Sequence, residues 1–113
     1  MHEMALCEGI LQAIEENSKR EGYRRVKLVR LEIGALAGVE IDAMRFGFDA
    51  VMQGTLADGA ALDIVNTPGQ AWCLDCAHQV AVTQRFDECP DCGGFQLEVT
   101  AGDEMRIKEL QVE

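Results

Sequence analysis

The chain has 113 residues, 48% of them hydrophobic, and twenty acidic against ten basic residues give it a formal charge of −10. Its length fits a small domain with a metal-stabilised insert, and a surface this negative repels phosphate backbones and anionic lipid, so neither nucleic acid nor a membrane is an expected partner. Because no apolar run approaches the roughly twenty residues of a membrane span and no signal sequence opens the chain, we expect a cytoplasmic protein.

The hydrophobic periodicity changes several times along the chain between the helical and the strand pattern. It predicts helices over 3–19 and 41–52 and strands over 25–33, 61–65 and 105–112. Pro68-Gly69 breaks the pattern after the second strand, and shorter strand-like stretches follow at 79–84 and 96–100. We therefore predict an α+β fold: a small mixed α/β domain with a three-stranded sheet and two helices (1–68 and 103–113), plus a zinc-ribbon-like insert (69–102).

Cysteine spacing is the strongest chemical signal in the chain. Four of the five cysteines lie in two Cys-x-x-Cys pairs with twelve residues between the pairs: Cys73 and Cys76, then Cys89 and Cys92. Each pair can place two thiolates on one side of a tight backbone turn. Two such turns that face each other enclose a tetrahedral site that suits Zn²⁺. In the second pair, Pro90 stiffens the turn and Gly93 permits a positive φ. A reducing cytoplasm favours metal ligation over disulfides, so the sequence predicts a structural zinc site.

The amino terminus is a second candidate metal site. A histidine at position 2 lies beside the α-amine of Met1, whose pKa is near ~8. The amine, the His2 amide nitrogen and the imidazole can chelate one ion through small rings, an arrangement that Cu²⁺ and Ni²⁺ favour. Ni²⁺ is therefore a candidate metal ion for this site. The alternative is that these residues are ordinary solvated chain, with Glu3 an acid in the first turn of a helix.

The remaining ligand-type residues have structural interpretations. His78 is interpreted as a neighbour of the zinc site or a solvent-facing residue, because four thiolates already fill a tetrahedral shell. Cys7, Met4 and Met44 fit core spacing. No set of residues typical of catalysis stands out, so we do not expect an enzyme.

Two further functions stay open at this point. A rubredoxin-like electron carrier would hold iron in the same four thiolates, since Cys-Pro-x-Cys-Gly also suits an iron site. A zinc-ribbon nucleic-acid-binding module should have basic residues around its turns. The insert instead has five acidic residues near the turns and one arginine, Arg85.

Five segments carry a resemblance to a known family. They are Met1-His2-Glu3-Met4, the stretch from Arg30 to Glu40, Ala71 to Cys76, Cys89-Pro90-Asp91-Cys92, and Gly102 to Ile107. In collinear order over the whole chain, these segments resemble the HypA/HybF family of hydrogenase maturation factors.

The resemblance implies a metallochaperone that carries nickel to the [NiFe]-hydrogenase large subunit and works with a HypB-type GTPase, with urease maturation proteins as further partners in some organisms. Carried over by position, it implies a nickel site at Met1, His2, Glu3 and Glu40. It also implies a structural Zn²⁺ held by the four paired cysteines.

Overall fold

The α+β fold class is confirmed in a computed structural model that describes residues 2–113. Within these residues there are two helices and six strands. In chain order they are α1 (His2–Glu21), β1 (Val26–Gly34), α2 (Ile41–Met52), β2 (Ala61–Thr67), β3 (Gly69–Cys73), β4 (His78–Val82), β5 (Leu97–Ala101) and β6 (Met105–Val112). Neither helix of this part of the chain is long and apolar enough to cross a membrane.

Helix α1 is amphipathic, as its periodicity predicts. It buries Cys7, Ile10 and Ile14 along one face. Gly22 ends it in the left-handed conformation, with φ at 77°, and donates its N–H to the Ser18 carbonyl oxygen at 2.8 Å. A glycine adopts this conformation without the steric cost of a Cβ, and the helix ends at Glu21, two residues beyond the predicted limit at 19.

Helix α2 packs against α1. It buries Met44, Gly47, Phe48 and Met52. A Cβ added at Gly47 would lie 3.0 Å from the Met4 sulfur, which is tighter than normal packing. Glycine in a helix interior costs about 0.5–1 kcal/mol relative to alanine, and here it permits the close approach of the two helices.

The first sheet has the strand order β2-β1-β6. On β1 the apolar residues Val29, Leu31 and Ile33 are buried, and polar residues alternate with them. Arg30 lies between them and pairs with Asp63 of β2 at 2.6 Å and with Glu109 of β6. One guanidinium therefore bridges the central strand to both of its neighbours.

The chain divides into two compact units, each assembled from separate stretches of sequence. Unit 1 comprises Met1–Leu31, Val39–Ile64 and Ile107–Glu113, and unit 2 comprises Glu32–Gly38 and Val65–Arg106. These limits fall inside β1, β2 and β6, whereas the domain limits expected from the sequence fall between strands. The domain division at 69 and 102 therefore stays a prediction.

Unit 2 contains an antiparallel sheet of order β4-β3-β5. The sequence pattern does not predict its central strand, β3, because Pro68-Gly69 indicates a break in the pattern. Gly69 is instead the first residue of β3 and is buried. A Cβ there would lie 2.5 Å from the Val82 carbonyl oxygen and 2.7 Å from Leu36 Cγ, so only glycine fits this approach of strand and loop.

The buried core of unit 2 is small and includes two of the paired cysteines. Its members are Leu36, Ala71, Cys73, Val80, Val82 and Cys89, with Cys76 and Leu97 packed against them. Two of the six core residues are therefore cysteines of the predicted zinc site, so the core of this unit includes candidate metal ligands.

Candidate metal centre

Two turns of similar backbone geometry present the four paired cysteines. In the first, the Ala77 N–H donates to the Cys73 carbonyl oxygen at 2.8 Å, and Ala77 has a φ of 58°. In the second, the Gly93 N–H donates to the Cys89 carbonyl oxygen at 2.8 Å, and Gly93 has a φ of 74°. The residue after each Cys-x-x-Cys pair is thus left-handed. The sequence predicts this conformation at Gly93 but carries no signal for it at Ala77.

Further main-chain contacts hold the turns together. The Leu74 N–H donates to the Gln96 carbonyl oxygen at 2.9 Å, and the Cys89 N–H donates to the Gly94 carbonyl oxygen at 2.7 Å. Within the first turn, the Cys76 N–H donates to the Cys73 sulfur at 3.4 Å. This hydrogen bond fixes the position of the Cys73 sulfur within the turn.

The four sulfur atoms converge. The Sγ atoms of Cys73, Cys76, Cys89 and Cys92 all lie within 4.8 Å of one another. The Cys73–Cys92 sulfur distance is 3.7 Å and the Cys76–Cys89 distance is 3.9 Å. A tetrahedron with metal–sulfur distances of about 2.3 Å has edges of about 3.8 Å, and a disulfide would need about 2 Å. The spacing fits four thiolates around one tetrahedral ion.

The first cysteine of each pair is buried and the second is nearer the solvent. Cys73 and Cys89 are 0% and 1% exposed, Cys76 is half-buried and Cys92 is exposed. The site therefore lies at the edge of the unit 2 core, where the buried sulfurs contact aliphatic side chains.

The thiols influence one another's ionisation. Desolvation raises the pKa of Cys89, but the backbone amides of Cys92 and Asp91, together with the neighbouring thiols, lower it to about 7. The pKa of Cys76 is raised, first by its hydrogen bond with Cys92 and then by desolvation. The Gly94 amide lowers the pKa of Cys92, yet contact with Cys89 and Cys73 and desolvation outweigh this and raise it. One thiolate forms readily, and the next needs a nearby cation, which a divalent metal supplies.

His78 lies beside the centre without joining it. Its Nε2 is 3.3 Å from the Asp91 carboxylate, and its Nδ1 is 3.1 Å from the Gln79 carbonyl oxygen. The ring is exposed, and the group of four ligands does not include it. Because His78 follows the first turn and Asp91 belongs to the second, this pair connects the two turns, a contact that the sequence does not indicate.

The other predicted site residues lie at the start of α1 and of α2. Met1 is outside the described residues. His2 is exposed at the first position of α1. The Glu3 carboxylate accepts the backbone N–H of Glu40, the N-cap residue of α2, at 3.2 Å. This hydrogen bond is the main reason that the pKa of Glu3 is lowered. The structure thus brings Glu3 and Glu40 together, through the Glu40 backbone.

Known proteins resemble this chain over its full length. The family model described as "Hydrogenase/urease nickel incorporation, metallochaperone, hypA" matches residues 1–112. Hydrogenase maturation factor HypA of Alkalilimnicola ehrlichii is 64% identical over 113 residues, 100% of both chains. The protein of that name from Acidithiobacillus ferrooxidans is 59% identical over 113 residues, again 100% of both chains.

The fold of this chain is similar to that of a solved structure. The solution structure of the Ni metallochaperone HypA from Helicobacter pylori superposes with a TM-score of 0.71 at 23% identity, covering 97% of this chain and 96% of that one. At this identity the likeness concerns the fold. Together with the family model and the full-length relatives, it leads to one conclusion: the chain belongs to the HypA family of nickel-incorporation metallochaperones.

Proposed function

We propose that this protein binds Ni²⁺ at its amino terminus and delivers it during [NiFe]-hydrogenase maturation, while its four paired cysteines hold a structural Zn²⁺. The observation that carries the proposal is the family match, which begins at residue 1 and so includes Met1-His2-Glu3. The same match favours a metallochaperone over an iron electron carrier, a nucleic-acid-binding module or an enzyme.

The position of His2 supports the nickel site. His2 is exposed and begins α1. The first N–H groups of a helix have no intrahelical acceptor, so the amides of His2 and Glu3 are not committed to the helix. An ion that replaces an amide proton, as Ni²⁺ does in nitrogen-rich planar sets, therefore breaks no helical hydrogen bond.

Glu3 and Glu40 have a supporting role in the proposed site. The Glu3 carboxylate has one oxygen on the Glu40 amide at 3.2 Å, which holds the first turn of α1 against the start of α2. A carboxylate oriented in this way still has lone pairs for an ion bound at residue 2. The Glu40 side chain is exposed and adds negative charge at the start of α2.

The two sites differ in a way that suits two roles. A closed shell of four thiolates, two of them buried, exchanges its ion slowly and fixes the geometry of unit 2. An exposed terminal site with few side-chain ligands can release its ion to an acceptor. Copper(II) outranks nickel(II) in affinity for such donors, so metal availability and docking to partner proteins must supply selectivity.

The expected partners follow from the family. We propose a HypB-type GTPase and the [NiFe]-hydrogenase large subunit, with urease maturation proteins as further candidates, acting in the cytoplasm. The formal charge of −10 favours partner surfaces that are basic.

The test compares nickel binding by untagged protein with two variants, His2→Ala and a chain with two residues added before Met1. Both changes remove a proposed ligand from the chelate, so nickel binding in calorimetry should fall by at least about tenfold, which is 1.4 kcal/mol. Zinc content and the circular dichroism spectrum should not change. His78→Ala is the matched control, because His78 is the one other histidine and is also exposed. Undiminished nickel affinity in either terminal variant would reject the proposed site.

A further inference from the structure

An apolar depression of about 270 Å³ opens on the surface of unit 2. We call it the Phe86 pocket. Its apolar lining is Ala71, Val82, Leu97 and Val99 from the sheet, with Phe86 and Phe95 from the loops. The volume accommodates one large side chain such as leucine or phenylalanine. The pocket belongs to neither proposed metal site.

Three exposed apolar side chains surround this pocket. Phe86 is 95% exposed, Phe95 is 72% exposed and Val99 is 37% exposed. Single exposed apolar residues are common on protein surfaces and need no explanation, but a cluster around a depression is typical of an interaction site. Aromatic residues are also enriched among the side chains that contribute most to binding.

The loop that presents Phe86 is held in place. The Asp87 carboxylate accepts hydrogen bonds from the Thr83 N–H and hydroxyl and from the Gln84 N–H, at 3.3, 3.1 and 3.1 Å. Arg85 donates from Nε to the Leu36 carbonyl oxygen at 2.9 Å.

Phe86 itself has a φ of 68°, a left-handed conformation that is unfavourable for an aromatic residue. The loop therefore holds the Phe86 backbone in a conformation that local preferences oppose, and this conformation leaves the ring exposed. A loop backbone that is ordered in advance loses less entropy when a partner binds.

The negative charge of unit 2 favours a positively charged partner. Unit 2 has eight acidic and two basic residues, for a formal charge of −6. Both basic residues are engaged, Arg85 with the Leu36 carbonyl oxygen and Arg106 with Glu32 at 3.3 Å. A second copy of this chain would bring the same negative surface and be repelled, and so would a nucleic acid. A basic protein segment would be attracted, and arginine also stacks favourably on phenylalanine rings.

We propose that the Phe86 pocket binds a positively charged segment of a partner protein, which inserts one large apolar side chain between Phe86 and Phe95. Burial of the two rings supplies the affinity, and the net negative charge of unit 2 supplies the preference for lysine and arginine. The interaction is independent of nickel, because no residue of the pocket lies at the amino terminus.

The test uses a phage-displayed library of short random peptides, selected against the zinc-loaded full-length protein. We expect selected sequences to combine lysine or arginine with one large apolar residue. Their affinity should fall by at least about tenfold for Phe86→Ser/Phe95→Ser and for Phe86→Ser alone. Phe46→Ser is the matched control, since Phe46 is 74% exposed and lies on α2, outside the pocket. Zinc content and circular dichroism check that each variant is folded.

Three results would overturn the proposal. One is a library that yields no binder above background, and another is a set of binders that are neutral or acidic. The third is a wild-type dimer in sedimentation that the Phe86→Ser/Phe95→Ser variant abolishes, which would assign the pocket to a second copy of this chain.

Discussion

Ala77 and Gly93 occupy the same place in the two metal-binding turns, yet they differ in what their backbone conformation costs. Both have positive φ, at 58° and 74°, and both donate their N–H to the carbonyl of the first cysteine of the pair. A residue with a Cβ loses about 1–2 kcal/mol in this conformation, whereas glycine does not. The first turn is therefore strained and the second is relaxed.

This difference in strain predicts that Ala77→Gly and Gly93→Ala have opposite effects on stability. Ala77→Gly should stabilise the protein by up to about 1 kcal/mol, because relief of strain exceeds the entropy that glycine adds to the unfolded chain. Gly93→Ala should destabilise it by about 1 kcal/mol, and the cause must be conformational, since the nearest atom to an added Cβ is 3.9 Å away. Chemical denaturation of the zinc-loaded protein measures both. Effects of the same sign would contradict the assignment of strain.

Strand β3 shows how an element can be positioned by its neighbours. It lies between β4 and β5, begins at Gly69 and ends at Cys73, the first cysteine of the candidate metal centre. The strand thereby links the tight contact at Gly69 to the metal centre, with Ala71 as the buried residue between them.

Gly69→Ala tests this contact at the level of the element. The added Cβ would lie 2.5 Å from a carbonyl oxygen, so the backbone must shift, and we expect a loss of about 1–3 kcal/mol in the free energy of unfolding. Gly9→Ala in α1 is the control, because no atom lies within 4 Å of its added Cβ. It should stabilise by about 0.5–1 kcal/mol. If Gly69→Ala leaves the free energy of unfolding unchanged, the strands can shift to accommodate the added Cβ, and the contact at Gly69 is not required.

At the scale of the whole molecule, the two units differ in the size and make-up of their buried cores. Unit 1 buries a continuous set of aliphatic and aromatic side chains on α1, β1 and α2. The buried core of unit 2 has six residues, and two of them are metal-binding cysteines. Structural zinc binding in small modules is worth about 10–16 kcal/mol, which is more than so few core residues provide.

Removal of zinc with a chelator under reducing conditions should therefore unfold unit 2 selectively. Amide signals of β3, β4 and β5 should lose dispersion and Trp72 emission should change, with a modest amplitude because this side chain is already 37% exposed. The helical circular dichroism should persist, since both helices belong to unit 1. Re-addition of Zn²⁺ is the control and should restore the spectrum. If the helical signal were lost together with zinc, unit 1 would not be stable independently of unit 2.

Much of this arrangement can be predicted from the sequence where the signal is local. The burial period of α1 and β1 and the clustering of the paired cysteines each depend on a few consecutive residues, and these predictions are confirmed. The family resemblance is confirmed as well, because the sequence motifs and their order are read without knowledge of contacts.

Other features are decided by tertiary contacts between residues far apart in the chain. Strand β3 exists because Gly69 lies against Leu36 and Val82, Ala77 is held left-handed by the metal-binding turn, and Glu3 meets the Glu40 amide. Sequence alone determined which residues pack and which carry metal-donor atoms, because hydrophobic period and donor chemistry are properties of the residues themselves. The tertiary structure alone decided which segments become neighbours, because that depends on the free energy of closing long loops around a shared core.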